Sequence, residues 1–195
     1  IFGKQPQRKL PQSSIQFAVF NGAELTDDLL DKHEVKGTLP EIIQQTKAKI
    51  ETFLPNPSTI RSMKRDEQVA ISGKVLREAI VNAVCHRDYS ISNRKTSVYL
   101  FNDRLEIASP GRLPNTLNIE KIMTGNSAPR NHFLLKYLDN LKFIDGLGRG
   151  VPMIKQEMAE RASYQEDGEM LRLILRYEGR SLPKKQARLQ EPLRI

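Results

Sequence analysis

The stretch K-V-L-R-E-A-I-V-N-A-V-C-H-R, residues 74–87, decides most about what this chain can become. Val75, Leu76, Ala79, Ile80, Val81, Ala83 and Val84 make a helix that is apolar around most of its circumference. Such a helix has to be packed on by other elements rather than laid on a surface. Glu78, Asn82 and His86 interrupt the apolar residues at a spacing of four, which puts all three on one helix face. Because unpaired burial of polar groups is costly, this stripe lies over a pocket, meets other polar groups, or looks out to solvent. Cys85 is on the same helix and is the chain's one cysteine, so it forms no internal disulfide and no Cys-rich metal site. It reads as a small buried hydrophobe, and a lone thiol suits a reducing, cytoplasmic compartment.

The segments around this helix predict an α+β two-layer sandwich of a mixed or antiparallel sheet and helices. Residues 14–20, S-I-Q-F-A-V-F, are rich in β formers and end at Gly22. Thr38 can cap a helix whose apolar positions Leu39, Ile42, Ile43, Thr46, Ile50 and Phe53 recur at helical spacing, until Pro55-Asn56-Pro57 stops it. Short strands are expected over 58–63 and 67–71, and Ser72-Gly73 opens the central helix. Residues 94–101 and 104–108 read as a hairpin turning at Asn102-Asp103, followed by a loop over 109–115. Helices are expected over 119–124, 131–138 and 151–162, and strands over 163–166 and 170–177 around Asp167-Gly168.

Two further features bear on function. Gly146-Leu147-Gly148-Arg149-Gly150 precedes a predicted helix. Alternating glycines let backbone N–H groups approach an anion, and a helix N-terminus adds a favourable dipole; an ordinary flexible loop with a helix cap is the plainer reading. The chain also carries a formal charge of +8, concentrated at its ends. Residues 1–23 hold Lys4, Arg8 and Lys9 and no acid, and residues 176–195 hold six cations against Glu178 and Glu191. That balance permits contact with nucleic acid, although a basic tail is also an ordinary solvated extension. No apolar stretch approaches the roughly 18 residues of a membrane span, and no P-loop is present.

Taken together, the motifs resemble the GHKL superfamily of Bergerat-fold ATPases, the group of gyrase-type, Hsp90-type, histidine-kinase and MutL-type ATP sites. The E-x-x-x-N-x-x-x-H helix resembles its N box, I-A-S-P-G-R-L-P at 107–114 stands where its first glycine box belongs, and 146–150 where its second belongs. The run R-E-A-I-V-N-A-V-C-H-R-D-Y, then R-L-E-I-A-S-P-G-R-L-P, then S-A-P-R-N-H, then G-L-G-R-G-V-P-M-I is similar to the RecG-like C-terminal domain of transcriptional regulators. The opening F-G-K-Q-P-Q-R-K-L-P-Q-S-S-I-Q-F-A-V-F-N-G resembles the end of the Schlafen/AlbA-type DNA-binding domain that precedes it in such proteins.

The resemblance implies a division into 1–36 as the end of a DNA-binding domain, 37–56 as a connecting helix, 57–180 as an ATPase-type domain and 181–195 as a basic tail. It implies a nucleotide site of Asn82, His86, Ser109, Gly111, Gly146, Gly148, Arg149 and Gly150, with Asn82 holding Mg²⁺ on ATP phosphates and Glu78 activating water in any hydrolysis. Where relatives carry an aspartate for the adenine amino group, this chain has Ser109, and Leu113 replaces a box glycine. Serine can still hydrogen-bond, without the charge that strengthens the contact. The expected function is a DNA-binding transcriptional regulator, active as a homodimer, with an ATP-site-like sensor or dimerisation module. The alternatives are an active Mg²⁺-dependent ATPase and a degenerate, purely structural oligomerisation module.

Overall fold

The computed structural model describes residues 3–54, 70–144 and 148–178. Six strands form one mixed sheet: β1 (Ile15–Phe20), β2 (Leu29–Val35), β3 (Thr96–Leu100), β4 (Arg104–Pro110), β5 (Ala162–Asp167) and β6 (Met170–Arg176). Their order across the sheet is β2-β1-β3-β4-β6-β5. Only β1 and β3 run parallel, with Ile15 opposite Thr96 and Val19 opposite Leu100; the other neighbours are antiparallel. Two longer helices, α1 (Leu39–Phe53) and α2 (Gly73–Cys85), pack on one another, and three shorter ones follow: α3 (Ile119–Met123), α4 (His132–Asn140) and α5 (Gly150–Met158).

Local chemistry accounts for these elements. In α1 the buried residues are Leu39, Ile42, Ile43, Thr46, Ile50 and Phe53, the same stripe the sequence sets out. The Glu41 carboxylate accepts from the Thr38 backbone N–H at 2.7 Å, satisfying a donor that the first helical turn cannot. At the start of α2, Ser72 Oγ accepts from Val75 N at 3.2 Å and donates to Glu157 at 2.6 Å. Helix α2 is the hub: it packs on α1, on α5 and on β4, and its Val75, Leu76, Ile80 and Val81 are completely excluded from water. They share one core with Phe17 and Val19 of β1, Val98 and Leu100 of β3, Leu105 of β4 and Leu175 of β6.

The structure departs from the sequence reading in four places. Residues 1–36, expected to close a separate domain, instead supply β1 and β2 of this single sheet, because β1 pairs directly with β3. Strand β2 itself, L-L-D-K-H-E-V, has no apolar alternation to announce it; it is an edge strand, and charges on an edge discourage pairing with other chains. Strand β4 runs on through Ser109 and Pro110, opposite Leu171 and Met170, where a loop was expected. Helix α5 ends at Met158, and a short 3-10 turn at Ala159–Arg161 leads into β5. The strands expected over 58–63 and 67–71, Gly146, and the tail 181–195 lie outside the described residues.

Candidate functional site

Beside α2 lies a cavity of about 750 Å³. Glu78, Asn82 and His86 all line it, so the polar stripe of the buried helix lies over a pocket rather than facing bulk water. Ile107 and Ser109 of β4, Leu171 and Leu173 of β6, and Tyr164 of β5 contribute sheet residues to the lining. Gly111 to Pro114, Ser127 to Arg130 and α4 supply the remaining walls. The size falls within the roughly 300–1,000 Å³ usual for small-molecule pockets.

The glycine turn also lines this cavity, through Gly148, Arg149 and Gly150, but not as the far wall. It lies against the stripe itself. A Cβ placed on Gly150 would fall 1.6 Å from Glu78 Oε1 and 2.3 Å from its Cδ, so the carboxylate occupies the space over the first residue of α5. A side chain on this residue would have to push the Glu78 carboxylate aside. At Gly148 the backbone itself demands glycine, with φ +67°, and a Cβ would also press on the Gly125 carbonyl at 3.4 Å. On the helix, Asn82 Nδ2 donates to Glu78 Oε1 at 3.1 Å, which leaves the Asn82 carboxamide oxygen as its unspent acceptor.

At the other end of the stripe, the structure gives Ser109 a definite task. The last carbonyls of a helix have no partner within it. Here each finds one: Asn82 O accepts from His86 N at 3.0 Å, Ala83 O from Ser109 Oγ at 2.6 Å, Val84 O from Tyr89 Oη at 2.9 Å, and Cys85 O from Asn131 Nδ2 at 2.8 Å. The Ser109 hydroxyl proton is therefore committed to α2, and only its lone pairs face any ligand. Asn131 also donates to Arg87 O at 2.7 Å. Arg87 is 1% exposed and donates to the carbonyls of Asp88, Ile91 and Arg94, so it shapes the turn after α2 from inside.

Charge around the cavity favours an anion. Arg112, Arg130, Lys136 and Arg149 line it, against the acids Glu78 and Asp139. Arg130 Nη2 donates to Arg112 O at 2.6 Å, and its Nη1 lies 3.5 Å from Asp88 Oδ2. Gly111, at φ +120°, passes beneath that guanidinium: a Cβ there would come within 1.9 Å of Arg130 Nη1. Burial lowers the proton affinity of His86 and the Arg130 charge lowers it further, so the imidazole lines the pocket neutral. Among the described residues no cluster of three His, Cys, Asp or Glu side chains can hold a metal unaided.

Sequence reasoning singled out Glu78, Asn82, His86, Ser109, Gly111, Gly146, Gly148, Arg149 and Gly150; all but Gly146, which lies outside the described residues, line the cavity. It did not single out Arg112, Arg130, Lys136, Asn131 or Tyr164. Arg130 and Asn131 stand in the run S-A-P-R-N-H, but only the fold says that one lies over Gly111 and the other caps α2.

Comparison with known proteins agrees with this arrangement at the level of fold and region. Residues 93–175, less than half of the chain, match the family profile described as "Putative ATP-dependent DNA helicase recG C-terminal". The match covers β4 with Ser109, Gly111 after it, and the glycine turn, but begins downstream of α2. No curated protein matches the sequence. Among solved structures, the crystal structure of the DIP2311 protein from Corynebacterium diphtheriae is similar in fold, with a TM-score of 0.69 at 20% identity over 86% of this chain. The chain spans 34% of that protein's length. The region from 93 to 175 is thus similar to that family's profile, and the fold recurs within a longer protein.

Proposed function

We propose that the cavity binds a nucleoside triphosphate together with Mg²⁺, and that the chain is the sensor or dimerisation module of a DNA-binding transcriptional regulator. One observation carries the reading. The Glu78/Asn82/His86 stripe and the Gly148–Gly150 turn line a single cavity rimmed by four cations, within a chain that contains an ATPase-like region.

The residues present fit such a ligand. The N–H groups at the start of α5 and the Arg149 side chain would take phosphate oxygens. The Asn82 oxygen, left over once Nδ2 donates to Glu78, is of the type that Mg²⁺ takes alongside phosphate oxygens. When bound, the metal supplies charge neutralisation to the phosphates. Glu78 is the carboxylate placed to orient or accept a proton from water if the ligand is hydrolysed. At the base end, Ser109 offers lone pairs only, a neutral acceptor worth about 1 kcal/mol net. Base discrimination should therefore be shallow, within about tenfold between ATP and GTP. Contact with DNA, and pairing of two copies, would belong to the full-length protein, with the basic ends contributing weak, salt-sensitive affinity.

Calorimetric titration of ATP, ADP and GTP, each with and without Mg²⁺, tests the reading. Weak binding that Mg²⁺ strengthens supports it. Phosphate release on top of binding assigns turnover as well. Absence of binding at millimolar nucleotide overturns it in favour of a purely structural module.

A further inference from the structure

The Glu78 carboxylate lies in the space that a Cβ on Gly150, the first residue of α5, would take. The would-be Cβ of Gly150 meets Oε1, Cδ and Cγ of Glu78 at 1.6, 2.3 and 2.9 Å, so the acid lies across the first residue of the helix. That is the positive end of α5, where an anion is favoured. Nearby, a second group lacks what Glu78 could give. Tyr164 lines the same cavity, and its buried hydroxyl has no hydrogen-bond partner among the described residues. An unsatisfied buried hydroxyl is costly, so a carboxylate that came within reach of it would gain a donor. Burial raises the Tyr164 proton affinity and the Glu78 charge raises it further, so the phenol stays protonated and able to donate toward a carboxylate.

We propose that Glu78 is an internal stand-in for phosphate: in the ligand-free protein its carboxylate holds the start of α5, and an incoming phosphoryl group displaces it toward the Tyr164 hydroxyl. The inference rests on the nucleotide reading above and adds a rule to it. Ligand binding is an exchange of one anion for another, and Tyr164 is a positioning residue that receives the displaced acid. Only protein groups move, no bond is made or broken, and Asn82, four residues along the same helix face, is left with its oxygen toward the cavity. A side chain at Gly150 would push the Glu78 carboxylate out of the place it holds.

The test uses the whole chain, Mg²⁺ and a non-hydrolysable ATP analogue, with inorganic tripolyphosphate as a second probe that has no base. Dissociation constants are measured by calorimetry for wild type, Glu78→Gln, Glu78→Ala, Tyr164→Phe and the Glu78→Ala/Tyr164→Phe double variant, alongside thermal melts. Removing the competing charge should tighten binding of both probes by about fivefold, the scale of one charge at a helix terminus. Tyr164→Phe should melt at the same or a higher temperature, since it deletes an unpartnered hydroxyl, yet bind severalfold more weakly. In the double variant the Tyr164→Phe loss should vanish, because no acid remains to be received. Glu78→Gln keeps an acceptor for Asn82 and should follow Glu78→Ala if charge is the competitor. Equal or weaker binding by both Glu78 variants overturns the displacement, as does a Tyr164→Phe loss that persists without Glu78. If wild type and every variant fail to bind either probe, the nucleotide reading falls and takes this one with it.

Discussion

Ser109→Ala separates a base-contacting residue from a helix-capping one. Ser109 is 7% exposed, and its hydroxyl donates to Ala83 O at 2.6 Å, one of the carbonyls that α2 cannot satisfy internally. Alanine keeps the volume nearly unchanged and leaves that carbonyl buried without its donor. The cost of such an orphan is about 1–3 kcal/mol. For a chain of this size each kcal/mol lowers the melting midpoint by roughly 2–4 °C, so a fall of about 2–12 °C is expected. Nucleotide affinity should change at most severalfold, because the proton lost was never aimed at the ligand. Ser109→Asp, which writes back the aspartate of related ATP sites, should be worse than alanine: a carboxylate has no proton for Ala83 O and buries a charge against it. The assay is thermal unfolding followed by far-UV circular dichroism, paired with nucleotide titration of the same preparations. An unchanged midpoint combined with abolished binding would refute the capping role and return Ser109 to the ligand.

Gly150→Ala should destabilise wild type, since the new methyl collides with Glu78 Oε1 at 1.6 Å, but should be near neutral in a Glu78→Ala background; equal effects in both backgrounds would show that the carboxylate is elsewhere in solution. Asn82→Ala should remove the Mg²⁺ dependence of nucleotide binding while leaving a weaker, metal-independent component, read by titration with and without chelator. Cys85 is completely buried and its thiol is pushed up to about 12 by burial first and the Glu78 charge second, so thiol reagents at neutral pH should label it only as the protein unfolds. The Glu34 carboxyl, held by Lys95 first and then Ser14, is drawn down from 4.5 to about 2, so its tie from β2 to the residues just before β3 and β1 is complete above pH 4.5 and lost as pH falls toward 2. Glu34→Gln should flatten the acid limb of the stability profile in that window.

The helices were legible because each carries its period in its own residues. The α1 stripe and the apolar body of α2 were read position by position, and both are buried as read. The hairpin at Asn102-Asp103 was legible too, since the pairing of Leu100 with Leu105 is a local event. The parallel pairing of β1 with β3 was not, because it joins residues far apart in the chain and no short pattern encodes it. Strand β2 escaped for another reason: an edge strand of mixed charge lacks the alternation that burial on one face imposes. At the site, spacing alone revealed the stripe, since side chains four apart on a helix must share a face. What the residues do there was less visible. Ser109 and Glu78 both match ligand-facing positions of a motif, yet in this structure the first spends its proton on Ala83 and the second lies against Gly150.

The capped end of α2 also governs how this protein can breathe. Ser109 and Asn131, which bracket the chain segment between them, are both fastened to carbonyls of the same helix turn, at Ala83 and at Cys85. Within 112–130 the one buried apolar side chain is Ile122. Opening that segment therefore exposes little apolar surface, and its free-energy cost lies far below that of global unfolding. Hydrogen exchange should find its amides quick to exchange, while those of α2, β4 and β6 exchange only as slowly as the entire molecule opens. On that expectation the segment would act as a strap buckled at both ends to one helix and, through Arg112 and Leu113, to Gly168 and Glu166 at the far edge of the sheet, with slack only between those ties.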